Sequence, residues 1–149
     1  MKYYTDGWMM GKNPSPYGGG FTVINEENLL IIREEIRIDG GVWFTNNEAE
    51  IRGILFALEY AEDGDSISTD SMCCLTWVNT GMSKARPDLN HLLFLCKELK
   101  FSKFINLMWE GRDFNLAGIY NEKVQKENTK KRIADQLEVD YKYALDKEE

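Results

Sequence analysis

Two periods divide the chain. Apolar residues first come in strand-length runs: residues 1–10, then GGGFTVIN over 18–25, then the Ile-rich LLIIREEIRI at 29–38. GKNPSPYGGG separates the first two runs, and its prolines and glycines mark a turn or close-contact loop; NEEN and DGG bound the third. Three such runs at short spacing predict an antiparallel meander. From Asn47 to Ala61 the period lengthens: Ile51, Ile54, Leu55, Leu58 and Ala61 recur at helical intervals until AEDGD closes the element. DSISTD then predicts a short strand ending at Asp70, SMCCLTWVN the start of a helix, DLNHLLFLCKEL another helix and KFINLMW a fifth strand, with the remainder helical. Strand, helix and strand in that order favour parallel pairing of the first strand with the fourth. In the tail, Ile133, Leu137, Tyr141 and Ala144 form a narrow stripe amid mixed charge, a face for the domain or for a partner.

Composition narrows the class. With 149 residues and 43% hydrophobic content the chain has the material for one globular core. No run approaches a membrane span, and no apolar segment of signal-peptide length opens the sequence, so the expectation is a cytoplasmic protein without a membrane partner. Cys73, Cys74 and Cys96 are odd in number and lack C-x-x-C spacing, which reads as reduced, buried thiols. The net charge of −7 argues mildly against a phosphate backbone as partner. Residues 1–120 hold 17 acids and 11 bases, residues 121–149 hold 8 and 7, so the excess lies in the first part. Acids that bind divalent metal lose that charge in the working state.

Those acids are placed to meet. Asp6 falls toward the end of the first strand, Glu50 in the first turn of the long helix and Asp70 at the end of the fourth strand. Parallel neighbours bring the carboxyl ends of strands one and four side by side, where ligand sites of open sheets form. Carboxylates gathered there repel one another unless hard divalent cations with a taste for oxygen sit between them. Taken singly, Asp6 reads as a strand-end acid, Asp70 as a helix N-cap and Glu50 as a complement to the helix dipole. Glu48, two residues from Glu50, is the other acid the helix could turn inward. His91 reads as a surface or boundary residue, and no Ser/His/Asp triad assembles around it. Gly18 to Gly20 lack the following helix and lysine of a phosphate cradle, so they read as close packing or a strand bulge.

At these segments the sequence resembles the ribonuclease H family. YTDG with GKNPSPYGGG resembles that family's first strand and loop, TNNEAEIRGILFALEYA its acid-bearing helix, and STDS its second catalytic strand, in the family's order. The resemblance runs through WEGRDFN to about residue 122. It implies a five-stranded mixed α/β sheet, three antiparallel strands then parallel ones, flanked by helices. Residues 1–122 would form that domain and residues 123–149 a charged helical extension. It implies hydrolysis of the RNA strand of RNA/DNA hybrids, with two Mg²⁺ ions, or Mn²⁺, held by Asp6, Glu50 and Asp70. It also implies minor-groove contacts from Asn13, Asn46 and Asn47, and a DNA-strand contact near Trp77.

The sequence departs from the family at three places. The family's R-x-x-N-x-x-A-D pattern places an acid where this chain has Ile119, so Glu122, or else Asp113, is expected as fourth metal ligand and catalytic carboxylate. The family's product-release histidine is missing from EGRD, where Arg112 is the candidate phosphate contact. The basic protrusion shrinks to GMSKARPD, leaving Lys84 and Arg86. Two other outcomes follow from these departures: a binding module with little or no activity, or a nuclease acting on another nucleic acid such as a DNA junction. The tail remains available for a protein partner or self-association.

Overall fold

The structure is a computed structural model that describes residues 1–39 and 42–148. The Gly40–Gly41 pair that bounds the third strand in sequence lies outside the described residues. The meander is formed by β1 (Lys2–Met9), β2 (Gly18–Asn25) and β3 (Leu30–Arg37). There follow α1 (Asn46–Tyr60), β4 (Ser66–Thr69), α2 (Met72–Thr80), α3 (Asn90–Ser102), β5 (Asn106–Trp109) and α4 (Leu116–Glu148). Strand order is β3-β2-β1-β4-β5, antiparallel through β1 and parallel from β1 to β5. This is the mixed five-stranded sheet of the ribonuclease H-like fold. The chain divides into two units, Met1–Ile119 and Tyr120–Glu149. No helix of the described residues is long and apolar enough to cross a membrane.

Local chemistry explains the meander. The β2–β3 hairpin turns on Asn25, whose Oδ1 accepts from the N–H groups of Glu27 and Leu29 at 3.0 Å, and on Asn28 at φ 63°. The three glycines at the start of β2 let strands approach closely. A Cβ on Gly20 would stand 1.9 Å from the carbonyl oxygen of Glu34 and 2.5 Å from the indole of Trp8, which lies across the strand with Arg33 over its ring. Close packing, not phosphate binding, is what this run supports.

The core fills one side of the sheet. Ile51, Ile54, Ala57 and Leu58 of α1 pack with Phe21 and Val23 of β2, Ile67 of β4, Val78 of α2 and Leu93 and Cys96 of α3. Burial pushes the Cys74 and Cys96 thiols up to about 12, which keeps them protonated and inert. Cys73, expected to be buried as well, is exposed on the outer side of α2. The α1 C-terminus has no basic residue of its own; Lys103 Nζ supplies the charge, donating to the carbonyls of Leu58, Glu59 and Ala61 at 2.8–2.9 Å. The strand expected from residue 103 begins later, at Asn106, because residues 103–105 form the turn that caps α3. Ile105 N donates to Lys100 O and Phe104 N to Phe101 O, a Schellman turn with Phe104 at φ 54° where glycine is usual.

Candidate metal centre

The centre is built at the carboxyl ends of β1 and β4, and glycine begins it. A Cβ on Gly7 would lie 2.8 Å from Ala49 Cβ and 2.9 Å from Glu50 N, so α1 can lie this close to β1 only with no side chain there. The same approach lets Gly7 N–H donate to Glu50 Oε1 at 2.8 Å. The N-terminus of α1 is held from several directions. Thr45 Oγ1 accepts from Glu48 N at 3.3 Å and from Arg86 Nη1 at 2.6 Å, and Asn46 N donates to Asn13 Oδ1 at 3.0 Å. Glu48 pairs with Arg52 at 2.9 Å and turns away from the sheet, which leaves Glu50 as the inward acid.

Asp6, Glu50 and Asp70 come together. Their carboxylate oxygens can be chosen to lie within 4.8 Å of one another. Glu50 is buried, and its Oε2 has no hydrogen-bond partner. Burial and the charges of Asp6 and Asp70 push its carboxyl well above the ordinary range, opposed by the Gly7 N–H bond. Burial also raises Asp70, against a hydrogen bond from Asn115 and the positive charge of Arg112. Asp70 is not the N-cap of α2; that role falls to Ser71, whose hydroxyl accepts from Cys74 N at 3.2 Å. Asp70 is thereby left to face Asp6 and Glu50.

Three carboxylates at this spacing, with one buried oxygen unpartnered, fit a hard divalent cation: the donors are all oxygen, and the cation removes the repulsion that raises Glu50. Two residues that sequence reasoning did not single out hold the arrangement. Asn115 is fully buried; its Nδ2 donates to Thr5 O at 2.9 Å, and its Oδ1 accepts from Ala117 N and Gly118 N at 3.1 and 3.3 Å. It ties β1, Asp70 and the start of α4 together. Asn115 is the asparagine of the R-x-x-N pattern in RDFN, the sequence signal for this residue. Trp109 Nε1 donates to Asp70 O at 3.1 Å, fixing the end of β4 from β5.

The other candidates are spread more widely. Asn13 and Asn46 meet at the start of α1, and Asn47 lies beside α2, where Cys74 Sγ approaches its backbone oxygen at 3.8 Å. Trp77 is half-buried and packs on the core. Arg112 and Asp113 are exposed in a 3-10 turn at Arg112–Phe114, and Ile119 is 48% exposed. Glu122 is exposed on α4, in the second unit. His91 is exposed on α3. Lys84 is exposed, whereas Arg86 is engaged by Thr45 and Asp88.

Neither a family model nor a curated protein matches the sequence. Solved structures do. The N-terminal RNase H domain of a Mycobacterium tuberculosis protein, solved as a maltose-binding-protein fusion, is 27% identical, with a TM-score of 0.56 over 78% of this chain and 90% of that one. The RNase H1 of the halophilic archaeon Halobacterium salinarum is 23% identical, with a TM-score of 0.59 over 84% of this chain and 97% of that one. An RNase H1 isolated from compost, solved in complex with an RNA/DNA hybrid, is 24% identical, with a TM-score of 0.51 over 76% and 87%. Fold, motif order and these neighbours together make the chain similar to ribonuclease H domains, whose fold it shares.

Proposed function

We propose that this protein is a metal-dependent endonuclease that hydrolyses the RNA strand of RNA/DNA hybrids. The observation that carries the reading is the gathering of Asp6, Glu50 and Asp70 within 4.8 Å at the end of a ribonuclease H sheet, with Glu50 Oε2 buried and unpartnered. Support for the hybrid comes from the compost enzyme, which was solved with one bound. Bound between these carboxylates, two divalent ions, Mg²⁺ or Mn²⁺, would supply a water of lowered pKa and neutralise charge on the departing 3′ oxygen. Asp6, Glu50 and Asp70 are the holding groups, so no side chain need act as general base. Asn13, Asn46 and Asn47, near the start of α1, are proposed to read 2′-hydroxyls in the minor groove. Trp77 and Arg112 are proposed as backbone contacts. Arg112 also draws Asp70 toward its charged form, which favours cation binding.

Asp70→Asn should abolish Mg²⁺-dependent cleavage of an end-labelled hybrid while the circular dichroism spectrum stays that of the parent. Undiminished cleavage by this variant would remove the proposal. A second reading is favoured by Ile119, which puts no oxygen where the resemblance expects an acid: a hybrid-binding module with little turnover. Hybrid retained without product under both Mg²⁺ and Mn²⁺ would select it, and preference for an all-DNA junction would select a nuclease of different substrate.

A further inference from the structure

The second unit is a helix whose exposed face has a built-in twofold pattern. From Gln125 to Leu145 every residue is exposed, including Ile133, Leu137 and Tyr141 at 54%, 63% and 66%. The contacts along the helix include Lys142 with Glu138 and Gln136 with Asp140, exposed i,i+4 pairs of the kind that add little to helix stability. Helices of this type draw most of their stability from packing an apolar face, so the stripe calls for an occupant.

Residue spacing about Leu137 identifies that occupant. Four residues to either side stand Ile133 and Tyr141, seven to either side Lys130 and Ala144, and eleven to either side Lys126 and Glu148. Spacings of this size return to one face of a helix. Laid antiparallel, with Leu137 against Leu137, a second copy brings Ile133 opposite Tyr141 and Lys126 opposite Glu148. Charge follows the same symmetry: residues 121–132 hold five bases and two acids, residues 133–149 two bases and six acids. Parallel pairing would set each half against its like, whereas antiparallel pairing sets each against its opposite.

We propose that α4 pairs antiparallel with α4 of a second copy of this chain, across Ile133, Leu137, Tyr141 and Ala144, with the basic half of each facing the acidic half of the other. Sedimentation equilibrium of the full chain at low salt should show a dimer. Leu137→Glu should weaken association at least tenfold. Lys126→Glu should weaken it severalfold, and adding Glu148→Lys should recover most of that loss. That recovery depends on orientation and does not depend on Leu137→Glu keeping its helix. A monomeric parent, a Leu137→Glu dimer as tight as the parent, or no recovery on adding Glu148→Lys each overturns the pairing.

Discussion

Replacing Glu50 by glutamine keeps the side chain's shape and the acceptor for Gly7 N–H while removing the charge. Glu50 is 3% exposed, its Oε1 is paired at 2.8 Å and its Oε2 is not paired. A buried polar oxygen without a partner costs about 1–3 kcal/mol, and charge adds to that. The glutamine amide also brings N–H groups to the side where Asp6 and Asp70 repel the carboxylate. Without metal, Glu50→Gln should therefore be more stable than the parent by roughly 1–3 kcal/mol. At about 2–4 °C per kcal/mol for a chain of this size, the melting temperature rises by roughly 2–12 °C.

The assay is thermal melting by circular dichroism near neutral pH, in chelator and in excess Mg²⁺. The parent should gain stability from Mg²⁺, and the variant should gain little. The pH dependence has a definite sign. Glu50 is raised in the folded state, so from the ordinary carboxylate range upward the folded chain holds a proton that the unfolded chain has lost. Stability without metal thus falls as pH rises through that window, and the advantage of Glu50→Gln is small below it and grows across it. Should the variant melt below the parent in chelator, the idea that burial and the neighbouring acids penalise the Glu50 carboxylate is wrong. If Mg²⁺ fails to stabilise the parent, the cluster is not a cation site.

Two further outcomes test how the centre is held. Gly7→Ala drives a methyl into Ala49 and the backbone of Glu50, so it should cost about 1–3 kcal/mol and reduce hybrid cleavage more than hybrid binding; denaturant unfolding and a KM-against-kcat comparison check this. Asn115→Ala leaves Thr5 O and two N–H groups at the start of α4 without their buried partner and should cost about 2–4 kcal/mol, read from the urea midpoint; an unchanged midpoint would show that the Asn115 bonds do not hold these elements together.

What was legible in the sequence was what repeats at short range. The switch from strand runs to the helical spacing of Ile51, Ile54 and Leu58 records which faces are buried, and it led to the meander and to the parallel neighbours β1 and β4. The order of Asp6, Glu50 and Asp70 along those elements was enough to expect their meeting. Backbone approach distances were not legible, because they are set by elements far apart in the chain. Gly7 is a site residue only because α1 crosses it, and Asn115 only because its amide spans from β1 to the start of α4. The family resemblance already pointed to Glu50 over Glu48, and the structure gives the reason: Arg52, one turn along α1, and Arg86, from a distant segment, draw Glu48 to the outer side, leaving Glu50 to face the acids. Local periodicity decided which surfaces are apolar; packing between distant segments decided which polar atoms were left facing one another.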